Sequence, residues 1–159
     1  MNPTLREASL SDIRTLGRHH RKMFQEIWKN RGTILTPERS EAVEKAYAEK
    51  IKKELPNGLC KVWVIEEEGK IIASGAITIV SLVPTPIDLG SHAVWLHSMY
   101  TEKKHRGEQH AQRIIKKALH YCKKKGFKRV LLNASDSGRP IYEKLGFQPS
   151  PDTMRFLIK

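Results

Sequence analysis

Cysteine is nearly missing from this chain: Cys60 and Cys122 are the two in 159 residues, both inside apolar runs and without metal-ligand spacing. That excludes a disulfide framework, leaves no metal site to expect, and reads both as packed thiols of a reducing compartment. Long apolar runs are missing too, since nothing approaches the roughly 20 residues a membrane helix needs. The opening stretch, Met1-Asn-Pro-Thr-Leu-Arg-Glu7, lacks the apolar centre of a signal peptide. A cytoplasmic protein with no membrane partner is expected. Aromatic residues make up 7% of the chain, and no basic stretch is interleaved with them. Acidic side chains are outnumbered, 17 against 29 lysines and arginines, for a net charge of +12. That balance favours an anionic partner without naming one, and nucleic acid, a membrane surface and a nucleotide-bearing cofactor all qualify. No linker, repeat or low-complexity tract divides the chain, so residues 1–159 are read as a single domain.

What is present has clear periodicity. Thr4 to Ala8 reads as a short strand, followed by a helix capped by Ser9 or Ser11 with Ile13, Leu16, Met23, Phe24, Ile27 and Trp28 on its apolar face, where His20 also lies. Thr36-Pro37 starts a second helix, carrying Ala42, Val43, Ala46, Tyr47 and Leu55, which Pro56-Asn57-Gly58 stops. From Cys60 the period becomes two: Lys61 to Glu66, a turn at Glu68-Gly69, and Ile71 to Leu82 predict a hairpin, and a further strand runs through Val94, Trp95, Leu96, Met99 and Thr101. Ala111, Ile114, Ile115, Ala118, Leu119 and Cys122 recur at helical spacing, with Arg113, Lys116, Lys117, Lys123 and Lys124 on the other face. Gly126 caps that helix, Val130 to Asn133 predict another strand, and Met154 to Ile158 predict a last one. The order describes a mixed sheet covered by helices, an α/β three-layer sandwich. The helix after Arg106-Gly107 brings unpaired N–H groups and a positive dipole end beside a cation, an arrangement suited to an anion.

Two stretches carry a resemblance. The turn Arg106-Gly107-Glu108-Gln109-His110-Ala111, with Gln109 where glycine is usual, and Gly138-Arg139-Pro140-Ile141-Tyr142-Glu143-Lys144-Leu145-Gly146-Phe147 resemble the cofactor-binding core of the GNAT superfamily of N-acetyltransferases. The resemblance implies a GNAT-like α/β/α sandwich whose mixed, mostly antiparallel sheet is splayed at its central strands. It also implies transfer of an acetyl group from acetyl-CoA to a primary amine of a small molecule or peptide, with no metal. The residues matching the family's cofactor site are Met99, Tyr100 and Thr101 on the splayed strand, Arg106, Gly107, Glu108, Gln109, His110 and Ala111 at the pyrophosphate turn, and Ser135 where relatives often carry asparagine. Tyr142 matches the family's general acid, and a backbone N–H near Met99 its oxyanion donor.

The base is read from the residues themselves. His97 precedes Met99 by two, so strand alternation puts both on one face, and an imidazole titrates in the useful range. Glu102 and His92 are rivals. His105 is expected to be exposed, and His110 either binds an anion or is exposed. Phe24, Trp28 and Tyr47 are expected to line the acceptor pocket. The positive surface disfavours a polycationic acceptor. A nucleic-acid-binding domain is the alternative of a different class, a cofactor-binding sensor without turnover is a third reading, and a homodimer is left open.

Overall fold

In the computed structural model, which describes residues 2–159, the first strand is β1 (Thr4–Glu7), leading through a 3-10 turn at Leu10–Asp12 into α1 (Ile13–Asn30). Met1, the first residue of the opening stretch, lies outside the described residues. Ser9 begins the turn, its N–H donating to Asp12 Oδ2 at 2.9 Å, and the Arg6 guanidinium holds both oxygens of that carboxylate at 2.9 and 3.0 Å. α2 (Pro37–Glu54) starts as the sequence predicts, with Thr36 Oγ1 accepting the Arg39 N–H at 3.1 Å. β2 (Cys60–Glu67) and β3 (Lys70–Ser81) form the hairpin, and its turn residues Glu68 and Gly69 take φ of 49° and 76°, the left-handed pair that a tight hairpin requires. β4 (His92–Thr101), α3 (His110–Lys124), β5 (Val130–Leu131) and α4 (Arg139–Lys144) follow.

The strands lie in the order β1-β2-β3-β4-β5, antiparallel except for the parallel β4–β5 pair. Only Val94 and Trp95 of β4 pair with β5, opposite Val130 and Leu131. Among the described residues, Leu96 to Thr101 therefore has no strand on that side, which is the expected splay. Alternation along β2 and β3 sends side chains to two cores. Trp63, Ile65 and Ile77 pack with Ile114, Ile115 and Ala118 of α3, whereas Val62, Val64 and Ala76 pack with Leu16, Tyr47 and Ile51 of α1 and α2. Cys122 belongs to the first core and Cys60 to the second, so the sheet separates the two thiols.

Two expectations fail at the far end. The strand at Val130 stops at Leu131, short of Asn133, and Met154 to Ile158 form no strand. Met154, Phe156 and Ile158 are 93%, 85% and 87% exposed. A strand needs an edge to pair with, and a two-residue β5 followed by the turn around Pro149 and Pro151 offers almost none. No described helix is long and apolar enough to cross a membrane.

Candidate active site

The site is organised by an irregularity in β4. Ala76 of β3 pairs with His97 and Ser74 pairs with Tyr100, so Gly75 alone faces the two residues Ser98 and Met99. This is a bulge with one extra residue in β4, and Ser98 takes a left-handed φ of 59° to make it. The bulge reverses the alternation. Met99 packs into the α3 core while His97 meets Tyr47 on the α1–α2 side, with ring centroids 6.0 Å apart. The expectation that His97 and Met99 share a face is therefore wrong. Gly75 makes room for this, since a Cβ there would lie 2.2 Å from Met99 Sδ.

On the α1–α2 side, Ser98 becomes the node of a polar chain. His97 Nδ1 is 2.7 Å and His20 Nδ1 2.9 Å from Ser98 Oγ, and His97 Nε2 is 2.7 Å from Thr78 Oγ1. The His20 ring stacks on Tyr47 at 3.9 Å and 7° between planes. Burial pushes the Tyr47 phenol up, so it stays protonated. The Ser98 hydroxyl has one proton, so it accepts from one imidazole and donates to the other. When His20 Nδ1–H donates to Ser98, Ser98 donates to His97 Nδ1 and His97 Nε2–H donates to Thr78, leaving His20 Nε2 as a lone pair. Burial lowers His20 to about 4 and His97 to about 3, the latter helped by Lys50 and His20, so both rings are neutral near pH 7.

The rival bases lie elsewhere. Burial raises the Glu102 carboxyl, but Lys22, 3.0 Å away, and His19, at 3.3 Å, outweigh that and hold it below its ordinary value. His92 is exposed at the start of β4.

At the other end, Gly107 (φ 84°) and Gln109 (φ 65°) curl the chain into α3. Gln109 adopts the left-handed conformation that glycine takes at no steric cost, which explains why the substitution leaves the turn intact. The first bond into the helix runs from the Arg113 N–H to the Gln109 carbonyl at 3.1 Å, so the N–H groups ahead of it have no helical partner. The Arg106 guanidinium is engaged with Glu26 of α1 at 2.9 and 3.0 Å, donates through Nε to the Thr101 carbonyl at 2.9 Å, and lies over the Tyr100 ring. It thus ties the turn to α1, while the open N–H groups supply the anion-binding capacity.

α4 completes the wall. Ser135 Oγ accepts the Gly138 N–H at 3.1 Å, and Tyr142 sits edge-on to Phe147 with centroids 5.7 Å apart. Burial raises the Tyr142 hydroxyl to about 12, which keeps its proton in place.

These parts face one cleft of about 630 Å³. It is lined by His97, Met99, Tyr100, Thr101, Arg106, Gly107, Gln109, His110, Ala111, Ser135, Tyr142 and Phe24 of the expected residues; Glu108, Trp28 and Tyr47 are outside the lining, Tyr47 being buried in the α1–α2 core and Trp28 44% exposed on the last turns of α1. His105 borders the cleft rather than standing free. His20, Ser98 and Glu26 were not singled out as site residues. The helical stripe does place His20 inward, but its partner lies 78 positions along the chain and only the fold joins them.

The chain matches known proteins in the same terms. The model of the Acetyltransferase (GNAT) family matches residues 21–147. No curated protein matches. Among solved structures, a predicted acetyltransferase with acetyl-CoA from Clostridium acetobutylicum is 24% identical with a TM-score of 0.85, over 98% of this chain and 96% of that one. A GCN5-related N-acetyltransferase from Ralstonia eutropha is 20% identical with a TM-score of 0.87, over 98% and 99%. Glucosamine-6-phosphate N-acetyltransferase from Arabidopsis thaliana is 23% identical with a TM-score of 0.65, over all of both chains. At these identities the structures show the shared fold, and the family match covers most of the sequence, including every cleft residue except His20. The chain belongs to the GNAT family of acetyltransferases.

Proposed function

We propose that the protein transfers an acetyl group from acetyl-CoA to the primary amine of a small molecule or peptide by direct attack. The observation that carries this reading is a single cleft holding open N–H groups at the Gly107–Ala111 turn, the strand segment Met99–Thr101 with no strand on its β5 side, and two groups of opposite protonation, His20 and Tyr142. The turn fits a pyrophosphate, since several N–H donors and a helix dipole converge there. The strand segment leaves backbone donors and acceptors for the amides of a pantetheine arm. Acetyl-CoA supplies an activated thioester: the amine nitrogen forms the new C–N bond, the C–S bond breaks, and the sulfur leaves as a thiolate.

Two proton transfers remain for the chain's own residues. The neutral Tyr142 hydroxyl donates to the leaving sulfur. His20 Nε2 takes the proton of the amine in the tautomer in which His20 Nδ1–H donates to Ser98, Ser98 to His97 and His97 to Thr78. His97, with both ring nitrogens engaged, acts through Ser98 instead of touching the amine. Met23, Phe24 and Ile27 of α1 line the acceptor side, which suits an amine on an apolar body. The net charge of +12 and the exposed basic faces agree with a weakly charged acceptor better than with a polycationic one.

The test is thiol release from acetyl-CoA with a panel of amines, comparing the wild type with Tyr142→Phe. That variant keeps the ring and removes one proton donor, so acetyl-CoA should still raise the melting temperature, while turnover should fall by roughly the 10²–10⁴-fold of a lost general acid. Wild-type turnover with chemistry rate-limiting would remove Tyr142 from the mechanism. Acetyl-CoA binding with no amine acetylated would favour the sensor reading.

A further inference from the structure

The turn that opens α3 gathers a second set of side chains beside its open N–H groups. Gly107 and Gln109, both left-handed, curl the backbone around Glu108, and the curl brings one donor atom each of His105, Glu108 and His110 within 4.8 Å of one another. His110 Nε2 is 2.8 Å and His105 Nδ1 3.7 Å from the same oxygen, Glu108 Oε2. His105 Nδ1 is also 3.7 Å from Glu67 Oε2, at the end of β2. The His110 side chain is 3% exposed, and its Nδ1 lies buried without a hydrogen-bond partner. Two imidazoles turned toward one carboxylate oxygen hydrogen-bond to it when each carries its proton there, and with those protons gone the three groups aim donor atoms at one point.

They are a good arrangement for a cation. Zinc binds imidazole nitrogen and carboxylate oxygen at about 2.0–2.2 Å, which in a tetrahedron separates neighbouring donors by about 3.3 Å. The separations here, 2.8 and 3.7 Å, bracket that value. We infer that His105, Glu108 and His110 form a zinc site, with the fourth position open to water beside Glu67. Glu108 is half exposed, which gives the ion a path in. Bound there, the ion would cross-link the two ends of a six-residue turn and hold it in the curled shape that presents the N–H groups.

The experiment uses the full chain without a histidine tag. Calorimetric titration with zinc should show one ion per chain, and cobalt in its place should give the visible absorption of a tetrahedral nitrogen–oxygen site. His105→Ala and Glu108→Gln, each checked for an unchanged metal-free melting temperature, should both weaken zinc binding by roughly tenfold or more. His120→Ala, exposed on α3 and outside the cluster, should not. Absence of zinc binding, wild-type affinity in either cluster variant, or an equal loss in His120→Ala would overturn the site.

Discussion

The two faces of the sheet obey different rules. Toward α3 the contact is made by Trp63, Ile65, Ile77, Val94, Leu96, Ile114 and Ile115, an apolar core of the kind that tolerates any packing of the right volume. Toward α1 and α2, apolar Leu16, Ile51, Val62 and Val64 share the interface with His19, Ser74, Thr78, His97 and Ser98. His19 Nδ1 meets Ser74 Oγ at 2.8 Å, and the His20–Ser98–His97–Thr78 chain runs beside it. A buried polar chain demands a partner for every donor, so it specifies one geometry where an oily interface accepts several. The α3 face is an apolar core, and the α1–α2 face carries a continuous chain of histidines and hydroxyls.

Substitutions should separate these roles. Ile114→Ala, in the middle of the α3 core and fully buried, should lower unfolding free energy by about 2–5 kcal/mol in urea titrations, with turnover per folded molecule nearly unchanged. A comparable loss of turnover would mean that the α3 face also positions the reacting groups.

Acid should act on the other face. The imidazoles of the unfolded chain titrate near 6.5, whereas burial lowers His19 and His20 to about 4 and His97 to about 3. Between those values the unfolded state binds more protons, so stability should fall as pH drops from about 6.5 toward 4. Melting curves across that range should show the decline, and His97→Gln should make it shallower. Equal slopes in wild type and variant would show that His97 does not contribute.

The smallest effect belongs to the turn. Gln109→Gly removes a side chain from a left-handed position at φ 65°, and should raise stability by up to about 1 kcal/mol without loss of acetyl-CoA binding. Destabilisation would show that the Gln109 side chain contributes contacts of its own.

The apolar face was readable from sequence and the polar face largely was not. Ile114, Ile115, Ala118 and Cys122 announce their core by period alone, and Thr36-Pro37 and Glu68-Gly69 mark a helix start and a hairpin through local chemistry. The tyrosine and the curled turn were found through the resemblance, because they are contiguous motifs. The bulge at Ser98 leaves no local mark: a serine in a β-rich run gives no sign of φ 59°, and its cause, a missing side chain at Gly75, lies on the neighbouring strand. Missing it put His97 on the wrong face. The Arg106–Glu26 pair, 80 residues apart in the chain, was hidden for the same reason. Trp28 sits at the margin of the helical stripe: Ile27, Asn30 and Arg31 line the cleft, and Trp28, about 100° round the helix from Ile27, does not. Met154 to Ile158 has the alternation of a strand and lacks only a partner.

The account turns on His20 as the group that takes the amine proton. The direct measurement is the pH dependence of turnover for His20→Gln beside the wild type, with acetyl-CoA saturating and an amine found in the panel. Glutamine keeps a polar side chain next to Ser98 but cannot accept a proton, so turnover should drop by roughly 10²–10⁴-fold near neutral pH and recover in part at high pH, where the amine arrives already neutral. Turnover at the wild-type rate across the whole range, with chemistry rate-limiting, would contradict the account and leave the buried histidine chain a structural feature of the fold.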